Sequence, residues 1–491
     1  MTAARSFVAV DLGAESGRVV GARFDGERLT LHEIHRFANA PLSGGGELRW
    51  DIRRLFDETL HGLALAASEL GEVASVGIDS WGVDFGLLDR SGELIGNPFH
   101  YRDRRTDGIT AKVEALVPRE ELFATTGAQL WEIGTLCQLC AMVLARSPEL
   151  ERAETLLMVP DLITSWLSGE KLGELTIAST TQMLEARTGA WALEPIDRLG
   201  LPARILPQLI PAATKIGPLL PTIAGRTGAA GAVVVAPGCH DTASAVAAIP
   251  LTSPDSAHIS SGTWSVIGVV SDKPRVDPVT RDLGFANEAG VAGTTTVLKN
   301  LTGLWLVQEC RRAWARAGER LSYEQLTALA ESAPAFRALV DPAHPGFLNP
   351  ADMPSEIGAF CEATGQPRPT DRGAVVRAAL EGLACSYRLA IEQLERIRGR
   401  RVDAIHVVGG GAQNRLLCQL TADACARPVL AGPVEATALG NVLAQAVATG
   451  SCSSWSEARE LVRRGFPPTL YTPHETAPWD SACARFTSFA R

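Results

Sequence analysis

Two stretches of this chain, about half its length apart, follow one plan, and that repetition limits the fold more than any other feature. Phe7-Val8-Ala9-Val10-Asp11 reads as a strand, Leu12-Gly13-Ala14-Glu15-Ser16-Gly17 as a tight turn, and Val19-Val20-Gly21-Ala22-Arg23-Phe24 as the returning strand. Ala257-His258-Ile259-Ser260, then Ser261-Gly262-Thr263, then Trp264-Ser265-Val266-Ile267-Gly268-Val269-Val270 repeats the pattern. Apolar β-branched runs broken by glycine and hydroxyl residues are hairpins. A glycine-rich turn also lets backbone N–H groups approach an anion closely. Two such hairpins predict duplicated domains facing each other across a cleft, each offering a phosphate-gripping turn. At 491 residues the chain exceeds what one hydrophobic core usually supports, so two large domains are expected in any case. Pro250-Leu251-Thr252-Ser253-Pro254 is the natural boundary, giving domains 1–250 and 251–491.

Charge removes some classes of partner. A formal net charge of -9 argues against nucleic acid or an anionic membrane surface, both of which favour basic patches. It leaves a nucleotide substrate open, because local dipoles and a metal can hold phosphate inside an acidic protein. The first residues run straight into a strand with no signal-peptide core, and no apolar stretch is long enough to span a bilayer, so a soluble cytoplasmic protein is expected. Ten scattered cysteines suit reduced, buried thiols better than a disulfide framework. Cys137 and Cys140 form a CxxC, but Leu136 to Leu144 reads as a helix with no second Cys or His pair nearby, so they are expected in the core rather than on zinc.

The polar groups of interest follow strand-like runs. Asp11 ends the first strand and is placed to hold Mg²⁺ through water, since that ion keeps much of its hydration shell; alternatively its turn is only a turn. The loop is not a Walker A, because Gly-Lys-Ser/Thr is missing and the turn joins two strands. Leu29 to Ile34 continues as a third strand after an Asp25-Gly26 turn, and a helix is expected from about Arg53 to Leu70. Val73 to Asp79 is a strand ending in Asp79-Ser80-Trp81-Gly82-Val83-Asp84-Phe85. Two readings stand there: Trp81 stacks on a sugar face with the carboxylates accepting sugar hydroxyls, or Trp81 is buried at a hairpin corner. His100-Tyr101-Arg102-Asp103-Arg104-Arg105 either lines the same cleft or is a solvated salt-bridge loop. Residues from about 120 to 210 read as a largely helical insertion, holding the hydroxyl-rich Thr176-Ile177-Ala178-Ser179-Thr180-Thr181-Gln182.

At the middle of the chain Ala232-Val233-Val234-Val235-Ala236 is a buried strand, and Pro237-Gly238-Cys239-His240-Asp241-Thr242 is the polar turn before a helix. Open α/β sheets bind ligands at such strand ends. Asp241 is therefore either a catalytic base or the cap of its helix, or both, since an ionised carboxylate is favoured at a helix N-terminus. Asn300 is placed near the start of a helix running to about Gly318, and a long helix from about Gly373 to Arg398 precedes the strand Ala404 to Val408. Gly409-Gly410-Gly411 then lies between strand and helix, where bare backbone admits a flat group such as adenine.

Taken together these segments resemble the FGGY carbohydrate kinases of the actin, hexokinase and 70-kDa heat-shock ATPase superfamily. The motifs are Val10 to Arg18, Ile78 to Phe85, Tyr101-Arg102-Asp103, His240 to Val246, Ser260 to Ser265, Leu298 to Trp305, Val407 to Gly411 and Gly432 to Ala436, in order over essentially the whole chain. Glu15 departs from the pattern, because the wider family usually carries a small hydroxyl residue there. The resemblance implies an α/β fold of two ribonuclease H-like (actin/hexokinase-type) domains, each a mixed sheet flanked by helices, around a central cleft. The N-terminal domain would hold the sugar and the C-terminal domain the nucleotide. It implies ATP-dependent phosphorylation of a ketose at its 1-hydroxyl, with L-rhamnulose expected, by a monomer or small homo-oligomer. Asp241 would be the catalytic base; Gly82, His240, Thr242 and Asn300 would bind the sugar with it. Ala14, Glu15, Ser16, Gly17, Arg18 and Thr263 would grip the phosphates, Gln308 and Gly410 would sit by the nucleoside, and Asp11 would hold Mg²⁺. Another ketose or a polyol (L-fuculose, xylulose, glycerol) is the alternative substrate. A nucleotide-gated interaction protein is the alternative class, disfavoured because the chain carries no peptide-binding extension.

Overall fold

The computed structural model describes residues 4–251, 253–348 and 350–490. Met1 to Ala3 of the N-terminal segment and Thr252 of the expected boundary lie outside the described residues. The chain forms two compact units and passes between them more than once. The first unit gathers the residues up to Pro250 with Val270–Val297 and Ala436–Phe466; the second holds Leu251–Val269, Leu298–Glu435 and the residues from Pro467 onward.

The first unit is built on a six-stranded mixed sheet in the order Thr214–Pro218, Val233–Ala236, Ser75–Ser80, Arg5–Leu12, Ser16–Phe24, Leu29–Ala38. Its three central strands are parallel and the outer ones antiparallel. All of Arg5–Leu12 except its first residue is buried, as a strand covered on both faces requires. The helix Ile52–Leu70 covers the sheet through Ile52, Leu55, Leu60 and Leu63. It starts where the Asp51 carboxylate accepts the Arg54 N–H and stops at Gly71, whose φ of 80° ends helical backbone cheaply.

A second helix of this unit comes from far along the chain. Ala436–Ala448 packs on the sheet and on the helix Asp241–Ala247. The approach to the latter is so close that a Cβ on Gly440 would lie 1.7 Å from the Ser244 carbonyl oxygen. The region from 119 to 210 carries the helices Arg119–Thr126, Thr135–Leu144 and Val159–Ser168, but also the short strands Thr155–Met158, Leu172–Glu174 and Gln208–Ile210. It has its own core around Phe85, Leu136, Leu139, Leu156 and Ile177. Cys137 and Cys140 are buried within that core, where desolvation pushes both thiols up to about 12.

In the second unit, Ala257–Ser261, Ile405–Val408 and Val429–Ala431 form a parallel run flanked by the antiparallel strands Trp264–Ser271 and Thr469–Tyr471. The helices Arg372–Arg398 and Arg415–Cys425 pack on one another, and Ala477–Thr487 packs on both. Among the described residues, no helix is long and apolar enough to cross a membrane.

Candidate active site

Three adjacent parallel strands of the first unit carry acidic residues at, or just beyond, their C-terminal ends. Asp11 and Asp79 are register partners on neighbouring strands, and the chain after Val233–Ala236 continues beside Ser80, whose N–H donates to the Cys239 carbonyl at 2.9 Å. His240 and Asp241 therefore stand at the same sheet edge as Asp11 and Asp79, the C-terminal edge where parallel sheets place ligands. The position is fixed from below: the Glu174 carboxylate accepts the Cys239 N–H at 3.1 Å, and the Thr176 hydroxyl accepts the His240 N–H at 3.1 Å. Glu174 is fully buried and also accepts the N–H of Thr176 and of Ile177, so its charge is held by donors while burial pushes its carboxyl up to about 7. The hydroxyl-rich loop of the sequence is thus the support of the central turn.

Asp241 is the first residue of the helix Asp241–Ala247, and the N-cap position belongs to His240, whose side chain makes no capping bond. The capping expectation is corrected accordingly. The Asp241 carboxylate accepts the N–H and the hydroxyl of its neighbour Thr242. Desolvation, with the charge of Asp11, raises the Asp241 carboxyl above its usual range, opposed by His240 and by the Thr242 bonds. About a third of the side chain (34%) remains exposed, so a substrate hydroxyl can reach it. His240 lies between two carboxylates, Nδ1 3.1 Å from Glu288 Oε2 and Nε2 3.4 Å from Asp241 Oδ1. Burial opposes its charge, but Glu288 first, then Asp241, outweigh it and push the imidazole up to about 9. Glu288, on the strand Ala286–Ala289, was not legible in the sequence: Ala286-Asn287-Glu288-Ala289 has no motif pattern, and only the fold brings it to His240.

The first hairpin turn is tied down by the Gly13 N–H on the Ser16 carbonyl at 3.0 Å and by Asn39, which donates to Gly13 through its side chain and to the Glu15 carbonyl through its backbone. Arg18, the cross-strand partner of Asp11, donates to one carboxylate oxygen through Nε at 2.8 Å and Nη2 at 2.6 Å. The Glu15 side chain is exposed. Gly17 is held glycine by the Phe37 ring, which a Cβ would meet at 2.3 Å, whereas Ala14 and Ser16 are half-buried.

Asp79 is fully buried. Its Oδ2 accepts from Asn441 Nδ2 at 2.6 Å, and Oδ1 has no hydrogen-bond partner. Desolvation first, then the Asp11 charge, raise its carboxyl well above the ordinary range. Asn441 belongs to the helix Ala436–Ala448, as does Gln445, which bonds Val8 and Ser75. Of the two readings for Trp81, burial holds: 6% exposed, it packs on Trp50 at 4.3 Å and donates to Asp84 at 3.0 Å. Asp84 also accepts from Trp50, Gln138 and the Tyr101 backbone, which leaves it no part in holding a sugar, while desolvation pushes it up to about 6. The His100 segment is divided: Arg102 and Arg104 are exposed, with Arg104 paired to Asp107 at 3.1 Å, while its other polar groups turn inward. His100 stacks on Trp50 at 4.2 Å, Asp103 is buried, and Arg105 lies over Phe99. Gly82 packs on Thr180, with a Cβ falling 2.9 Å from its side chain.

In the second unit the matching hairpin gathers another group. The Gly303 N–H donates to the Thr263 carbonyl at 3.0 Å and the Leu304 N–H to the Gly262 carbonyl at 2.8 Å. The helix Trp305–Arg316 then starts, and Gln308, one turn in, accepts the Thr263 hydroxyl at 3.0 Å. Ser261 of the same hairpin packs against the triple glycine: Gly409 (φ 79°) and Gly411 would place a Cβ at 3.0 and 2.0 Å from it. Gly410 alone faces open space. Asn300 is half-buried on the strand Thr295–Thr302 rather than near a helix start, because the β-branched run before it carries strand geometry through to Thr302.

Residues 6–248 match the N-terminal domain and residues 257–449 the C-terminal domain of the FGGY family of carbohydrate kinases. The chain belongs to this family. It is 40% identical over 487 residues to the rhamnulokinase of Bacteroides thetaiotaomicron, covering 99% of this chain and 100% of that one. The rhamnulokinase of Pectobacterium carotovorum subsp. carotovorum is 40% identical over 495 residues, covering 100% of this chain and 97% of its own. The gluconate kinase of Lactobacillus acidophilus superposes with a TM-score of 0.82 at 16% identity (99% and 97% of the two chains), and the xylulose kinase of Rhodospirillum rubrum with 0.81 at 22% (99% and 98%). At those identities the superpositions speak to fold alone: the two-domain FGGY architecture of mixed sheets flanked by helices. As an FGGY kinase the chain is a sugar kinase, a phosphotransferase with an alcohol group as acceptor.

Proposed function

We propose that this FGGY kinase transfers the γ-phosphoryl group of ATP to the 1-hydroxyl of L-rhamnulose, the reaction of a rhamnulokinase. The observation that carries the reading is the full-length 40% identity to kinases of that name. Phosphoryl transfer has a loose transition state, so the protein contributes mainly positioning and charge neutralisation. Asp241, raised in basicity and reachable, takes the proton of the attacking hydroxyl, a contribution typically of ~10²–10⁴-fold. His240, held charged by Glu288 at Nδ1, keeps its Nε2–H beside Asp241, where it is shared between that carboxylate and a sugar oxygen. Gly82, Thr242 and Asn300 complete the sugar site. The turn from Ala14 through Glu15, Ser16 and Gly17 to Arg18, with Thr263, holds the phosphates through N–H groups and hydroxyls; the exposed Glu15 side chain takes no part. Gln308 and the open backbone of Gly410 receive the nucleoside. The first domain, about 1–250, serves the sugar and the second the nucleotide.

The acidic strand ends fit a magnesium ion. Asp79 offers a buried carboxylate oxygen without a partner beside Asp11. Magnesium keeps much of its hydration shell, so two carboxylates at neighbouring strand ends can hold it without a closed cage. Asp11 would hold the ion through water, and the bound ion supplies charge neutralisation at the phosphates.

The decisive experiment compares coupled-assay rates for L-rhamnulose, L-fuculose, xylulose and glycerol, with Asp241→Asn alongside. We expect the highest kcat/KM for L-rhamnulose and a loss of ~10²–10⁴ in kcat for the variant. Preference for another sugar would overturn the substrate, and wild-type turnover in the variant would remove Asp241 from the chemistry.

A further inference from the structure

The cysteine pair that stands out in the sequence, Cys137 and Cys140, sits inert in a core helix. Another pair, 98 residues apart, does not. In the second unit the long helix Arg372–Arg398 and the helix Ala477–Thr487 share a seam. Cys385 and Arg388 lie three residues apart on one helix, Asp480 and Cys483 three apart on the other, a spacing that puts each pair on one face. Arg388 Nη1 meets Asp480 Oδ1 at 2.8 Å, and Cys385 Sγ meets Cys483 Sγ at 2.7 Å. The ion pair and the sulfur contact are successive rungs between the helices. A small closing movement brings the sulfurs to the ~2.05 Å of a bond.

The two thiols are unequal. The contact between the sulfurs, then the Arg388 charge, hold Cys483 below the ordinary thiol range against burial, while Cys385 is pushed far above it. A sulfur that carries the negative charge beside a guanidinium is the nucleophile of a dithiol, and its protonated neighbour the resolving thiol. Of the two residues Cys483 keeps the more exposed surface, 5% against 0% for Cys385. A cavity of about 220 Å³ opens at the adjoining rung, where Arg388 and Asp480 line it with Glu392 and Cys425.

We propose that Cys385 and Cys483 form a peroxide-sensitive dithiol whose oxidation staples the helix Ala477–Thr487 to the helix Arg372–Arg398. The Cys483 thiolate attacks one oxygen of hydrogen peroxide; the O–O bond breaks, hydroxide leaves, and Cys483 becomes a sulfenic acid. Cys385 sulfur then attacks the Cys483 sulfur, its proton leaving with the displaced hydroxyl as water. Two thiols and one peroxide thereby give one disulfide and two waters. The reaction is reversed by a small dithiol through thiol–disulfide exchange.

The test uses the full-length protein treated with graded hydrogen peroxide. Mass spectrometry is expected to show the loss of two hydrogens and one linked peptide pair, Cys385 to Cys483, abolished by dithiothreitol. Oxidised protein should melt a few degrees higher than reduced protein. Cys483→Ala should give no linked pair, and Cys385→Ala should leave a sulfenic acid on Cys483 that dimedone captures. Arg388→Gln keeps both thiols and is expected to slow disulfide formation several-fold, which covers the case of an alanine variant that fails to fold. A linkage between other cysteines, both thiols still alkylatable after peroxide, or an unchanged rate in Arg388→Gln would overturn the proposal.

Discussion

An imidazole at pH 7 is ordinarily mostly neutral, but His240 is pushed up to about 9 by Glu288 and Asp241 despite its burial. The sign of the linkage is definite. A group whose folded pKa exceeds its unfolded value stabilises the fold fully below the unfolded value, and that contribution is lost as pH rises through the folded one. From the ordinary 6.5 to about 9 the effect is on the order of 3 kcal/mol. Melting temperature should therefore fall between pH 6.5 and 9.5, and in His240→Gln this slope should flatten; thermal melts of both proteins across that range check it. Glu288→Gln should bring His240 down toward its ordinary range, with its titration followed by NMR and the alkaline limb of kcat/KM moving to lower pH.

Among the elements, the glycine loop after Ile405–Val408 separates packing from binding within three residues. Gly411→Ala drives a Cβ to 2.0 Å from Ser261 Oγ and should destabilise by about 1–3 kcal/mol. Gly410→Ala adds a methyl to open space, so melting should barely change while KM for ATP rises several-fold. Steady-state kinetics and melting curves on both variants distinguish the two effects. The helix Ala436–Ala448 offers a second comparison. Asn441→Ala leaves the buried Asp79 carboxylate without its donor, at a cost of about 1–3 kcal/mol in stability and a measurable fall in kcat. Urea denaturation and turnover of that variant read both.

For the molecule as a whole, the first unit includes the Ala436–Ala448 helix, whose Gln445 and Asn441 bond Val8, Ser75, Gly77 and Asp79. A fragment ending at Pro250 should therefore be poorly folded, detectable as rapid proteolysis and weak near-ultraviolet dichroism beside the full chain. Sequence reading reaches the elements that local chemistry determines. The run Val233–Ala236, the Asp25-Gly26 turn and the Gly-Ser/Thr hairpins all lie where β-branched runs and turn residues put them. It does not reach contacts between distant segments. Trp50, Asp84 and Gln138 become one buried hydrogen-bonded cluster, with His100 stacked on Trp50, only when folded, so the polar density around His100 resembled a solvated loop. Glu288 and Asn441 carried no local signal, since an Ala-Asn-Glu-Ala strand and an alanine-rich helix announce nothing about the side chains they meet.

That returning helix also bears on how the protein is made. A ribosome adding roughly 5–20 residues each second takes about 10–40 s to travel from Pro250 to the end of the segment that completes the first unit. Throughout that interval the Val8 and Gly77 carbonyls, the Asp79 carboxylate and the Ser75 hydroxyl that Asn441 and Gln445 will meet stay uncovered on the nascent chain. The first half of the protein thus cannot complete its sheet's packing until Ala436–Phe466 has been translated.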